Sequence, residues 1–172
     1  ALGISDVNPS NPIRNIKVAP PGYAGLLSGP DPVMFNHRAI NAFQPFSVAR
    51  WAREVNEPGL DNVVNWADRA HLSDARWVDK GAPYEAQIAF SNTIKADLWL
   101  NVPVRASDDY VRQLAILVRD TMDPTLRCFV ELSNEIWNPV YAGTVTRVRA
   151  QGALRGYGRG DPNRAGIEYY AA

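Results

Sequence analysis

Cysteine is nearly absent from this chain of 172 residues. Cys128 is the only one, so no internal disulfide can form, and with His37 and His71 the only histidines, no Cys/His spacing fits a zinc site. An excess of charge is also missing: 18 Lys and Arg balance 18 Asp and Glu, and no run of basic residues exceeds two. That balance removes the long-range attraction towards nucleic acid or anionic membrane. Long apolar runs are lacking as well. Nothing approaches the 18 consecutive apolar residues that a bilayer-spanning helix needs. These absences argue against nucleic-acid binding, membrane insertion and a structural metal, and no motif requires a cofactor. What is present is ordinary for a globular domain, with 46% hydrophobic and 21% charged residues. A length near 170 predicts one domain with a real core.

Residues 1–12, ending Asn8-Pro9-Ser10-Asn11-Pro12, read as a linker or the end of an upstream domain. Alternation over Ile13–Ala19 predicts a first strand, stopped by Pro20-Pro21-Gly22. A short helix is expected over Asn36–Phe43, and a second strand over Pro45–Trp51. Pro83 opens a helix running to Ile94, and Asp97–Pro103 reads as a third strand. Ser107 caps the clearest helix. Asp108 and Asp109 occupy its positive end, and Val111, Leu114, Ala115, Leu117 and Val118 form its apolar face. Arg127–Asn134 is the fourth strand, and a helix begins at Arg164 without reaching an end signal. Alternating strands and helices imply a parallel sheet with right-handed crossovers. Because the chain begins with Ala and its last helix is cut short, residues 13–172 are expected to be the first half, strands 1–4, of a TIM (β/α)₈ barrel. A half barrel leaves open strand edges, so self-association of the isolated piece is expected.

In parallel α/β folds ligands meet the carboxyl ends of the strands. Those ends supply Arg50-Trp51, Asn101-Val102-Pro103 and Asn134-Glu135-Ile136-Trp137-Asn138, with Pro20-Pro21-Gly22-Tyr23 from the first strand. Carboxylates move protons, amides and guanidinium groups fix hydroxyls and charge, and indoles stack on sugar rings. The set suits a carbohydrate.

The run Glu131-Leu132-Ser133-Asn134-Glu135 resembles the fourth-strand signature of clan A glycoside hydrolases, the group that holds the cellulase-like family 5 enzymes. The wider stretch from Asp108 to Asn138 is similar to a bacterial group of secreted, largely uncharacterised barrel proteins of that clan. Ile136 stands where these enzymes often carry Pro. The resemblance implies a retaining hydrolase acting on a polysaccharide or glycoconjugate, outside the cell or in the periplasm. It makes Glu135 the general acid/base, Asn134 the contact to the sugar 2-hydroxyl and Arg50 the neighbour of a nucleophilic Glu expected beyond Ala172. Two carboxyl groups about 5–5.5 Å apart would flank the bond, and Glu135 would need its pKa raised towards neutrality. Trp51, Asn101, Trp137 and Asn138 are the expected substrate contacts. With one catalytic carboxylate of two, the piece alone is expected to be inactive.

Blander roles stand beside these. A barrel of this kind can be a carbohydrate-binding or scaffold module without catalysis. Glu131, on the same side of the strand as Glu135 by parity, reads as a structural acceptor. Trp66, Trp77 and Trp99 read as packing, and Cys128 as a small buried hydrophobe. Gly156-Tyr157-Gly158-Arg159-Gly160 lacks a preceding strand and a following Lys-Ser/Thr, so it reads as a flexible loop.

Overall fold

The computed structural model describes residues 8–14, 35–51, 63–74, 77 and 80–172. The chain divides into two units, Ala1–Asn36 and His37–Ala172. In the first, Asn8 closes a turn, its carbonyl accepting from the Asn11 N–H at 3.1 Å and its side chain from the Ser10 N–H at 2.9 Å. The expected first strand, Ile13–Ala19, falls mostly outside the described residues; Ile13 and Arg14, which are described, are irregular and exposed.

The second unit is mixed α/β. Its elements run α1 (His37–Phe43), β1 (Val48–Arg50), α2 (Tyr84–Ile94), β2 (Asp97–Val102), α3 (Asp108–Thr121), β3 (Cys128–Leu132), α4 (Ala142–Leu154) and α5 (Pro162–Ala171). Among the described residues the strands form an open, wholly parallel sheet of three, in the order β1-β2-β3. Arg50 stands opposite Trp99, and Asn101 opposite Glu131.

β2 divides its side chains between two environments. Leu98, Leu100 and Val102 are buried against Tyr84 and Ile88 of α2 and Tyr110 and Leu114 of α3. Trp99 lies on the other face and is partly exposed. Alternation along a strand produces this division, with one face covered by crossover helices. The sequence reading of Trp99 as interior packing is therefore corrected.

α3 begins as expected, the Ser107 hydroxyl accepting from the Tyr110 N–H at 3.2 Å. Its buried stripe is shifted, however. Tyr110 and Leu114 are buried and Leu117 and Val118 partly so, while Val111 and Ala115 are exposed. The 110-114-117-118 spacing is the true helical face, and Tyr110 belongs to it because its ring can fill the core while its hydroxyl finds a partner. That hydroxyl meets Tyr84 Oη at 3.2 Å, and Tyr84 donates to the Asn101 carbonyl at 2.9 Å. Burial raises both phenols, Tyr110 to about 12.

Asp97 joins the start of β2 to β3. Its carboxylate accepts from the Arg127 N–H at 2.8 Å and from the Arg127 guanidinium at 2.7 and 2.8 Å. The backbone donor first, then the side chain, lowers its pKa. A lowered folded-state pKa gives stability that is present above the unfolded Asp value of about 3.9 and disappears as pH falls through the folded value. The Tm deficit of Asp97→Asn is therefore expected to be largest at pH 7 and to shrink below about pH 4. A deficit independent of pH in thermal melts would contradict the assignment.

Sequence pattern does not announce α4. Its run Ala142–Leu154 has two glycines, threonines and arginines and no acidic first turn, so no apolar stripe stands out. Thr144, Val145, Val148 and Gly152 are nonetheless buried, packed against α5. Asp161 caps α5, accepting from the Asn163 N–H at 2.8 Å, with Pro162 in its first turn. The glycine run between these helices is a packed turn rather than a loose loop: Gly158 sits against Ala165 and donates its N–H to Glu168 at 2.8 Å.

Candidate functional site

At the C-terminal ends of the strands the open face of the sheet gathers Arg50, Trp99, Asn101, Glu131 and Asn134. Register explains the grouping, since opposed residues of parallel strands share a face. Glu131 is the centre. Its Oε2 accepts from Arg50 at 2.8 Å, from Trp99 Nε1 at 3.0 Å and from Asn101 Nδ2 at 3.0 Å, and its Oε1 accepts from the Tyr170 hydroxyl at 3.4 Å. Its side chain is 10% exposed, against 38% for Arg50. Arg50 donates also to Asn134 Oδ1 at 3.0 Å, and its guanidinium carbon lies 4.7 Å from the centre of the Trp99 ring. The guanidinium thus holds a carboxylate, a carboxamide and an indole together. Burial, then the negative charge of Glu131, raises the Tyr170 phenol.

β3 ends at Leu132, and the chain then bends sharply. Ser133 has φ 56° and Glu135 φ 45°, so two non-glycine residues flanking Asn134 are left-handed. Such backbone is costly for L-residues and is concentrated at functional sites. It also ends strand alternation, so the parity that placed Glu131 and Glu135 on one side does not extend to Glu135. The bend is fixed by the Ser133 N–H to the Val102 carbonyl, 2.7 Å, and by the Asn101 amide, which donates to the Ser133 carbonyl. Glu135 accepts from Asn138 Nδ2 at 2.8 Å, while the Asn138 oxygen accepts from the Val140 N–H at 3.0 Å.

The predicted site residues therefore separate into groups. Arg50, Asn134 and Asn101 are brought together around Glu131. Asn101 lies on the same face but is buried there, where it supports Glu131 and the bend. Glu135 and Asn138 form their own pair one turn further on. Trp137 is 64% exposed. Trp51 is packed edge-on to Phe90, ring centres 5.8 Å apart, with its indole N–H buried and unpartnered. Sequence reasoning missed Tyr170 and Trp99. Trp99 was detectable, standing two residues before Asn101 and so on its face; nothing in sequence links Tyr170 to a strand 39 residues earlier. Among the described residues no three His, Cys, Asp or Glu side chains assemble to hold a metal, and no helix is long and apolar enough to cross a membrane.

No protein-family model matches the chain, and comparison with curated proteins and with solved structures returns no significant match.

Proposed function

We propose that the chain forms the strand 1–4 half of a (β/α)₈ barrel and belongs to a retaining glycoside hydrolase that acts on a polysaccharide or glycoconjugate outside the cytoplasm. Three parallel strands with helices over one face and a polar cluster around Glu131 at the strand ends on the other are what half of such a barrel would present. The observation that carries the functional reading is Arg50 held between Glu131 and Asn134 at the strand ends, one residue from the left-handed Glu135.

In this reading Glu135 gives a proton to the leaving oxygen and then takes one from water. Asn134, its carboxamide orientation fixed by Arg50, hydrogen-bonds the sugar 2-hydroxyl. Arg50 also holds the nucleophile ionised by opposite charge. That nucleophile is a Glu supplied from beyond residue 172. Glu131 does not fill the role, because its two oxygens already accept four hydrogen bonds.

The test is turnover by a polypeptide continuing past Ala172, screened for release of reducing ends. Glu135→Gln is expected to lower kcat by about 10²- to 10⁴-fold with binding retained. Unchanged turnover removes Glu135 from the chemistry. Binding with no turnover in either protein favours a carbohydrate-binding module, and no effect of any oligosaccharide on Tm favours a scaffold.

A further inference from the structure

α4 and α5 enclose, with the loop after Glu135, a groove of about 520 Å³. Its walls include Ile136, Trp137, Arg149, Asn163, Ile167 and Tyr170. The volume suits a small ligand. Two features define what would enter. First, Trp137, Ile167 and Tyr170 expose apolar surface at 64%, 60% and 39%, so the groove offers flat and aliphatic walls to a ring. An indole stacks on the C–H face of a pyranose while the hydroxyls point away to polar neighbours. Second, the one charged side chain in the groove lining is a cation, Arg149. Residues 139–172 carry five arginines against two carboxylates, in a chain that is neutral as a whole. Of those carboxylates, Glu168 is occupied by Arg164 and by the Gly158 N–H, and Asp161 caps α5. Arg149, in the groove wall, forms no ion pair among the described residues. Gly166 leaves room for its stem: a Cβ there would lie 3.2 Å from Arg149 Cγ.

The groove is also continuous with the strand-end site. Ile136 and Trp137 follow Glu135 directly, and Tyr170 lines the groove while donating to Glu131.

We propose that this groove binds an acidic sugar residue, its ring against Trp137 and its carboxylate or sulfate paired with Arg149. The placement of that residue next to the bond cleaved rests on the glycosidase reading; the binding itself does not. An arginine fork meets a planar carboxylate with two parallel hydrogen bonds, and a sulfate ester offers equivalent oxygens.

The experiment is titration of the whole chain, followed by tryptophan fluorescence, with tetragalacturonate, a sulfated tetrasaccharide and cellotetraose. Acidic probes are expected to bind at least tenfold more tightly than cellotetraose, with affinity falling as salt is raised. Arg149→Gln is expected to erase that preference and Arg149→Lys to keep part of it. Trp137→Ala should weaken acidic and neutral probes alike. Whichever acidic probe binds more tightly separates carboxylate from sulfate. Equal affinity for acidic and neutral probes, an unchanged preference in Arg149→Gln, or no binding at all would overturn the proposal. So would equal binding of a single-stranded oligonucleotide, which would mean that charge alone is read. Binding of the acidic probe together with turnover indifferent to Glu135→Gln would leave the groove standing and remove the hydrolase reading. Glu135-dependent turnover with no acidic preference would do the reverse.

Discussion

Glu131→Ala is expected to cost the fold about 3 kcal/mol, the largest loss for any residue on the open face of the sheet. Four donors lose their acceptor at once: Arg50, Trp99 Nε1, Asn101 Nδ2 and the Tyr170 hydroxyl. Hydrogen bonds to a charged group are worth about 1.5–3 kcal/mol each, but that range does not simply multiply by four. Arg50 and Trp99 are open enough to recover water, and Asn101 keeps its second bond to the Ser133 carbonyl. The loss therefore comes mainly from the buried end of the network and from Arg50, which no longer has a carboxylate to balance it. Glu131→Gln retains an acceptor and the shape, so about half the loss is expected. Urea unfolding measures both, and a Glu131→Ala change under about 0.5 kcal/mol, the level of an ordinary surface substitution, would show that the network is not a structural unit. Function follows from the same geometry. Without Glu131, Arg50 keeps Asn134 and the Trp99 ring among the described residues, so its hold on the carboxamide proposed to contact the sugar weakens.

Much of this arrangement was readable from sequence, for reasons that differ by element. β2 and α3 carry their own signals: alternation from Asp97, a serine cap, and acidic residues at the helix start. The strand ends are identifiable by residue type, and Arg50, Asn101, Asn134 and Glu135 stand at them. Three features were not readable. The left-handed bend at Ser133 and Glu135 has no glycine to mark it, because tertiary hydrogen bonds and not local propensity impose it. That Glu131 is a structural acceptor is readable, but the convergence of donors from β1 and β2 on it depends on register between β1, β2 and β3, a property of pairing that one strand does not encode. α4 lacks an apolar stripe because its buried face is built from small residues that permit close approach. Tyr110 shows a subtler effect: a stripe drawn from aliphatic residues omits a tyrosine, although its ring fills the core.

Close approach of α4 and α5 gives the second large effect. Gly152→Ala is expected to destabilise the chain by about 3 kcal/mol, at the upper end of ordinary overpacking. Intrinsic propensity argues for the opposite sign, since alanine is favoured over glycine within a helix by about 1 kcal/mol. Sterics decide the sign. A Cβ on Gly152 would lie 2.0 Å from the Ala165 carbonyl oxygen and 2.5 Å from its carbon, both backbone atoms that cannot rotate away. The helices would have to separate, and Ala165, now 2% exposed, would be uncovered. Gly166→Ala is the control. Its nearest neighbour is Arg149 Cγ at 3.2 Å, the stem of a flexible side chain, so a change of under about 1 kcal/mol is expected there. Thermal melts of the two variants give the comparison, and a Gly152→Ala protein as stable as the parent would refute the close crossing. The consequence reaches the groove. α4 carries Arg149 and α5 carries Ile167 and Tyr170, so parting the helices widens the proposed sugar site and pulls the Tyr170 hydroxyl from Glu131. Weaker binding of tetragalacturonate by Gly152→Ala, with Arg149 and Trp137 unchanged, would show that the glycine contact sets the width of the site.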